Sequence, residues 1–321
     1  METTLKSTTW HGIKAWVFEN KILQLVVVPE MGAKFVSLLD KRSGREWLMD
    51  KGDRPFRPVE HAANFVEQDM SGWDEMFPTI VACNYPGVGE LQGARLPDHG
   101  EVWTLPWQKK DHGSDRLTLS VTGVALPYRL TRSLMFSHPD CFKFSYSLKN
   151  LSNLAMPYLW AAHPQFVCPA GTRVLLPPQV QTVNNVLDES WGWGAPHTQW
   201  LWPSQDQNNS KRPIDLIGEP SLKRARKVFI PPELRIDWAS LQTPSGDWLK
   251  MDWDSNKVPY FGLWVDEGAL SSKSVAAPEP MTGYYDSLEL AVKNERVSFL
   301  PPGETQSWWL TVQVGSGGLP Q

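Results

Sequence analysis

Twenty-seven prolines are spread along 321 residues, and they set the first limit on the fold. A proline inside a helix removes a backbone hydrogen bond and clashes with the preceding turn. Few windows here can sustain a helix beyond three turns, and none reads as a helix longer than about 12 residues. Between the breakers the chain offers short β-branched and aromatic runs: 22–28, 35–39, 117–121, 128–136, 142–148, 174–176 and 308–314. Residues 142–148 alternate apolar with polar, the pattern of a half-buried strand. No repeat of fixed period appears, which argues against a propeller or solenoid. The expectation is an all-β protein of large antiparallel sheets, a single domain over residues 1–321. The stretch 184–231, rich in Trp, Gly, Pro, Asn and Lys, reads as long loops or an excursion over one face.

Composition narrows the partners. Hydrophobic residues at 41% and charged residues at 21% allow a core and exclude a disordered chain. A net charge of −4 gives no basic face for nucleic acid. The one basic cluster, Lys223, Arg224, Arg226 and Lys227, reads as a solvated loop or strand edge. Three cysteines without CxxC spacing point to reduced thiols rather than a disulfide framework or zinc site. The opening residues lack the apolar core of a signal peptide. Leu23 to Pro29 is far shorter than the roughly 20 residues that span a bilayer. The expectation is a cytoplasmic protein without membrane partners.

Seventeen tryptophans against seven tyrosines exceed what core packing needs. A flat indole face packs well on the C–H face of a pyranose, so some should line a cleft. Nucleotide and metal signatures are absent: no GxxxxGK[ST], no strand-coupled GxGxxG, no HExxH and no GxSxG elbow. His99 and His112 stand 13 residues apart without a partner carboxylate at helical spacing. No metal or other cofactor is expected.

Four segments could carry chemistry. In Ser71-Gly-Trp-Asp-Glu-Met-Phe-Pro78, Asp74 either caps a turn or binds sugar hydroxyls beside Trp73. Asp98-His99-Gly100 reads as a turn, where functional side chains are displayed. His163 ends an apolar run before Pro164: either a satisfied core histidine or an imidazole suited to proton transfer near neutral pH. Trp264 and Asp266 lie in a fourth segment, followed by Ala276-Ala-Pro-Glu-Pro-Met281. Glu279, stiffened by flanking prolines in apolar surroundings, should be paired or in use.

The order and spacing of these segments resemble the aldose 1-epimerase (galactose mutarotase-like) family over roughly residues 12–314. The pieces are Trp73-Asp-Glu-Met-Phe-Pro78, His99-Gly100 with Trp107 following, His163 after a strand, and Glu279 about 25 residues before a Pro-Gly-Glu run. The resemblance implies a β-supersandwich and a cofactor-free enzyme acting on a small-molecule sugar, as a monomer or homodimer. It implies that His163 is the acid at the ring oxygen, Glu279 the base at the C1 hydroxyl, and His99 a sugar-binding histidine. A cationic His163 beside an ionised Glu279 would meet the need for acid and base at one pH. Asp74 and Asp266 are candidates for a binding carboxylate, Trp264 for a stacking platform, and Glu304 receives no role. Sugar-phosphate mutarotases resembling this chain carry an arginine soon after the His-Gly turn, where Glu101, Val102 and Trp103 stand here. That speaks against a phosphorylated substrate. A non-catalytic sugar-binding or sensor protein, and a sugar lyase or hydrolase using two carboxylates, are the alternatives.

Overall fold

In the computed structural model, residues 2–110, 113, 115–204 and 213–318 are described. Among them one sheet runs in the order Thr4–Trp10, Ile13–Glu19, Leu23–Val28, Lys34–Asp40, Trp73–Met76, Ala161–Pro164, Ser274–Met281, Tyr260–Glu267, Arg224–Phe229, Thr182–Asn185 and Gln199–Leu201. A second sheet of eight strands runs from Arg173–Leu175 through Trp238–Gln242, Asp247–Trp253, Thr305–Ser316, Cys141–Asn150, Tyr128–His138 and Leu117–Thr122 to Gln108–Lys110. All named strand pairs are antiparallel. The only α-helix among the described residues is Leu288–Lys293, as the proline spacing predicts. Each of the seven runs read as strands overlaps a strand. His112, noted for its spacing from His99, lies outside the described residues.

The two sheets pack face to face through aromatic rings. Phe18 stacks on Phe136 at 4.8 Å between centroids, while Phe35 and Trp73 both meet Phe144. Along Cys141–Asn150 buried and open positions alternate as expected. Ser274–Met281 behaves differently, because all eight of its residues are buried. Both faces of that strand are covered, so a carboxylate on it must find partners inside the protein.

Two expectations are corrected here. The stretch 184–231 is not only loop: it contributes Gln199–Leu201 and Arg224–Phe229 to the first sheet, although residues 205–212 lie outside the description. Of the basic cluster only Lys223 is exposed: Arg224–Phe229 pairs along its length with Tyr260–Glu267, and at Val228 and Phe229 with Thr182–Asn185. Arg226 is fully buried and donates to Glu267 Oε1 at 2.9 Å and to the Leu216 carbonyl. The three cysteines are free and buried. Among the described residues no helix is long and apolar enough to cross a membrane.

Candidate functional site

Strand register assembles the site. The histidine strand, Ala161–Pro164, places His163 opposite Asp74 of Trp73–Met76. On its other side Ala161 pairs with Met281 of the glutamate strand, Ser274–Met281. Continuing that register puts His163 opposite Glu279. The ladder resumes at Ala276 with Phe166, and between these points stand Pro278 and Pro280, which have no N–H to donate. The prolines suspected from sequence thus fall where this side of the sheet is unzipped, and Glu279 is held at the opening.

On the far side of Glu279, its partner in the next strand is Gly262, which in turn pairs with Phe229. A Cβ on Gly262 would lie 3.0 Å from Met281 Cε and 3.5 Å from Lys227 Cε. The missing side chain leaves the path by which Lys227 crosses the strand to Glu279. A second glycine is required at position 100. There φ is +69° and a Cβ would meet the Phe77 carbonyl oxygen at 2.0 Å. This close approach seats the Asp98-His99-Gly100 turn on the sheet, with His99 itself left-handed at φ 58°. Such strain on a non-glycine residue persists only where surrounding structure enforces it.

The result is a cleft of about 220 Å³ lined by sixteen residues. His163 Nδ1 lies 3.1 Å from Glu279 Oε1, and Gln165 Nε2 lies 2.9 Å from His163 Nε2. Lys227 Nζ donates to Glu279 Oε2 and stands 3.9 Å from Asp286 Oδ1. His99 stacks on Phe65 at 3.9 Å, with its ring 5.3 Å from that of His163. Trp264 and Trp191 meet edge to face at 5.9 Å and form an aromatic corner. Among the described residues no three His, Cys, Asp or Glu side chains gather as metal ligands.

The electrostatics of the pair follow from this packing. Burial pushes the Glu279 carboxyl up, but the Lys227 ammonium and the His163 hydrogen bond outweigh it, leaving the group below the usual range. For His163 burial wins: despite the bond to Glu279, its pKa falls below the ordinary histidine value. Near neutral pH the site holds a carboxylate beside a neutral imidazole. The sequence expectation of a cationic His163 is corrected by that burial. The amide of Gln165, donating to Nε2, matches a tautomer whose Nδ1–H donates to Glu279. Asp286 is pushed up to about 6, chiefly by burial and against the pull of Lys227.

Of the six residues singled out from sequence, His163, Glu279, His99 and Trp264 line this cleft. Asp266 does not. Its carboxylate accepts N–H groups from Ala269, Leu270 and Ser271 and fixes the turn after its strand. Asp74 lies outside the lining, buried, with Lys34 Nζ 3.1 Å from its Oδ2. Burial raises it to about 6 against that lysine. Trp73, offered as its sugar-facing neighbour, is core against Phe144 and Phe166. Glu101, at the position that speaks against a phosphate, is buried and accepts from Tyr128 Oη at 2.8 Å and from the Ala125 N–H. Sequence reasoning passed over Lys227, Gln165 and Asp286. Nothing local in the sequence separates Lys227 from the basic residues beside it.

No family model matches the sequence. No curated protein matches it either. Solved structures do. Slr1438 from Synechocystis sp. PCC 6803 superposes with a TM-score of 0.70 at 18% identity, over 94% of this chain and 96% of that one. A galactose mutarotase-like protein from Clostridium acetobutylicum gives 0.68 at 16% identity, over 98% and 99%. A galactose mutarotase related enzyme from Lactobacillus acidophilus gives 0.67 at 16%, over 94% and 97%. Likeness along nearly the full length of each, with two large antiparallel sheets in this strand order, identifies the architecture: the chain has the galactose mutarotase-like fold.

Proposed function

We propose that the protein is an aldose 1-epimerase, interconverting the α and β anomers of an uncharged sugar by opening and reclosing its ring. The observation that carries this reading is the contact of His163 with Glu279 at the floor of a cleft that also presents Trp264. A cyclic hemiacetal opens when the C1 hydroxyl loses a proton and the ring oxygen gains one. Glu279, held ionised, takes the proton from the C1 hydroxyl. The His163 Nδ1–H, turning away from Glu279 as that carboxylate engages the C1 hydroxyl, gives its proton to the ring oxygen as the C1–O5 bond breaks. The proton gained by Glu279 returns to the imidazole across the contact between them, so the pair ends as it began. Rotation about C1–C2 and reclosure by the reverse steps yield the other anomer.

Positioned acid and base groups commonly contribute about 10²–10⁴-fold each, enough for a reaction that already proceeds in water. The cleft lining holds one lysine and no arginine. That lysine is engaged with Glu279, which favours a neutral sugar over a phosphorylated one. A cytoplasmic location fits such a substrate.

The test is saturation-transfer NMR of anomeric exchange on a panel of aldoses. The reading expects acceleration that is lost in Glu279→Gln and in His163→Asn. Binding without acceleration would instead make the cleft a sugar sensor, and products beyond the other anomer would make it a lyase or hydrolase.

A further inference from the structure

The polar and apolar parts of the cleft are unequally distributed. Six of the sixteen lining side chains are polar or charged: His99, His163, Gln165, Lys227, Glu279 and Asp286. Five of them form one connected patch, joined by the contacts from Gln165 through His163 and Glu279 to Lys227 and Asp286, and the His99 ring lies 5.3 Å from that of His163. The other ten are aliphatic or aromatic, Met70, Leu187 and Leu270 among them. Of these only Trp191 and Trp264 carry an N–H.

Both Glu279 oxygens and both His163 nitrogens are engaged. Gln165 Oε1 and Asp286 Oδ1 are buried without a hydrogen-bond partner. Both are acceptors, the groups a sugar hydroxyl satisfies by donating. Buried polar atoms left open in a cleft need an account, and here they sit beside the reacting pair.

We infer that the cleft is built for a deoxy-aldose, a neutral sugar lacking a hydroxyl at C3 or C4; this rests on the mutarotase reading of the same site. With C1 and the ring oxygen at Glu279 and His163, Asp286 on the Glu279 side lies toward the C2 hydroxyl and Gln165 on the His163 side toward the C5 substituent. The remainder of the ring faces aliphatic and aromatic side chains whose only hydrogen-bonding groups are the Trp191 and Trp264 N–H donors. A hydroxyl desolvated there without a partner is disfavoured, whereas a methyl or methylene packs.

The experiment compares D-glucose and D-galactose with their 2-, 3-, 4- and 6-deoxy analogues by saturation-transfer NMR. An apolar pocket discriminates against an added hydroxyl by up to about 100-fold. Removal of the hydroxyl at C3 or C4 is therefore expected to raise kcat/KM by about 10- to 100-fold, and removal at C2 or C6 to give no gain. Leu270→Asn, with Leu187→Asn as a second wall variant, should narrow the preference by giving the parent hydroxyl a partner. If no deoxy analogue exceeds its parent, the inference falls while the epimerase reading stands. If no sugar is epimerised, that reading falls, and saturation-transfer difference binding to the same panel decides the inference. Stronger binding of the 3- or 4-deoxy sugars upholds it and equal binding overturns it.

Discussion

Glu75 and Glu279 are both fully buried carboxylates facing a cation, and they have opposite fates. Glu75 lies between the sheets and accepts from Arg132 at 2.6 Å, Tyr146 Oη at 2.9 Å and Trp160 Nε1 at 2.7 Å. Burial still holds its carboxyl above the usual range. Glu279 has fewer partners, one of them a titratable imidazole, and its carboxyl lies below the usual range. It also borders an open cleft. A closed shell of hydrogen bonds makes a buried acid structural. An incomplete shell beside a cavity leaves it available for chemistry.

The largest expected effects come from breaking each acid in turn. Glu279→Gln should lower kcat/KM for anomeric exchange by about 10²–10⁴-fold with little change in urea midpoint. Glu75→Gln should do the reverse. It strips the charge that balances a buried Arg132, which typically costs about 3–5 kcal/mol, while activity per folded molecule persists. Paired denaturation curves and exchange rates on the two variants separate the roles.

Lys227→Met sharpens the contrast from the other side. Without the ammonium, burial dominates Glu279 and raises its pKa, so the acid limb of the pH–rate profile should move to higher pH. We expect roughly a tenfold loss of kcat/KM at pH 7, about 1.4 kcal/mol, with Lys227→Arg restoring part of it. An unchanged acid limb would remove Lys227 from the account. The smallest effect is expected at the aromatic corner. Trp264→Ala should raise KM by roughly tenfold or less, with kcat largely kept, because stacking acts on ground and transition states alike.

Much of the architecture was legible because strands announce themselves locally, through β-branched runs bounded by breakers. Glu279 was legible for a related reason: two prolines around one acid are a local anomaly. His163 gained its place from the order of the segments, since the residues near it read equally well as core. Lys227 was not legible. Its meaning depends on Gly262 leaving a path across one strand and on a register joining residues 52 positions apart. Asp266 misled for the converse reason: an acid ending an apolar strand looks functional until the turn that consumes its oxygens is seen.

The central claim is that a neutral His163 works beside an ionised Glu279, and the pH dependence of kcat/KM for anomeric exchange tests it most directly. Both pKa values are lowered in the folded protein, so protonation of either group begins only below its ordinary range. The rate should hold steady as pH falls through about 6.5, the ordinary histidine value, and decline only at lower pH, with Glu279→Gln inactive throughout. A rate that instead climbs as pH drops through that value would make the imidazolium the working acid and contradict the account.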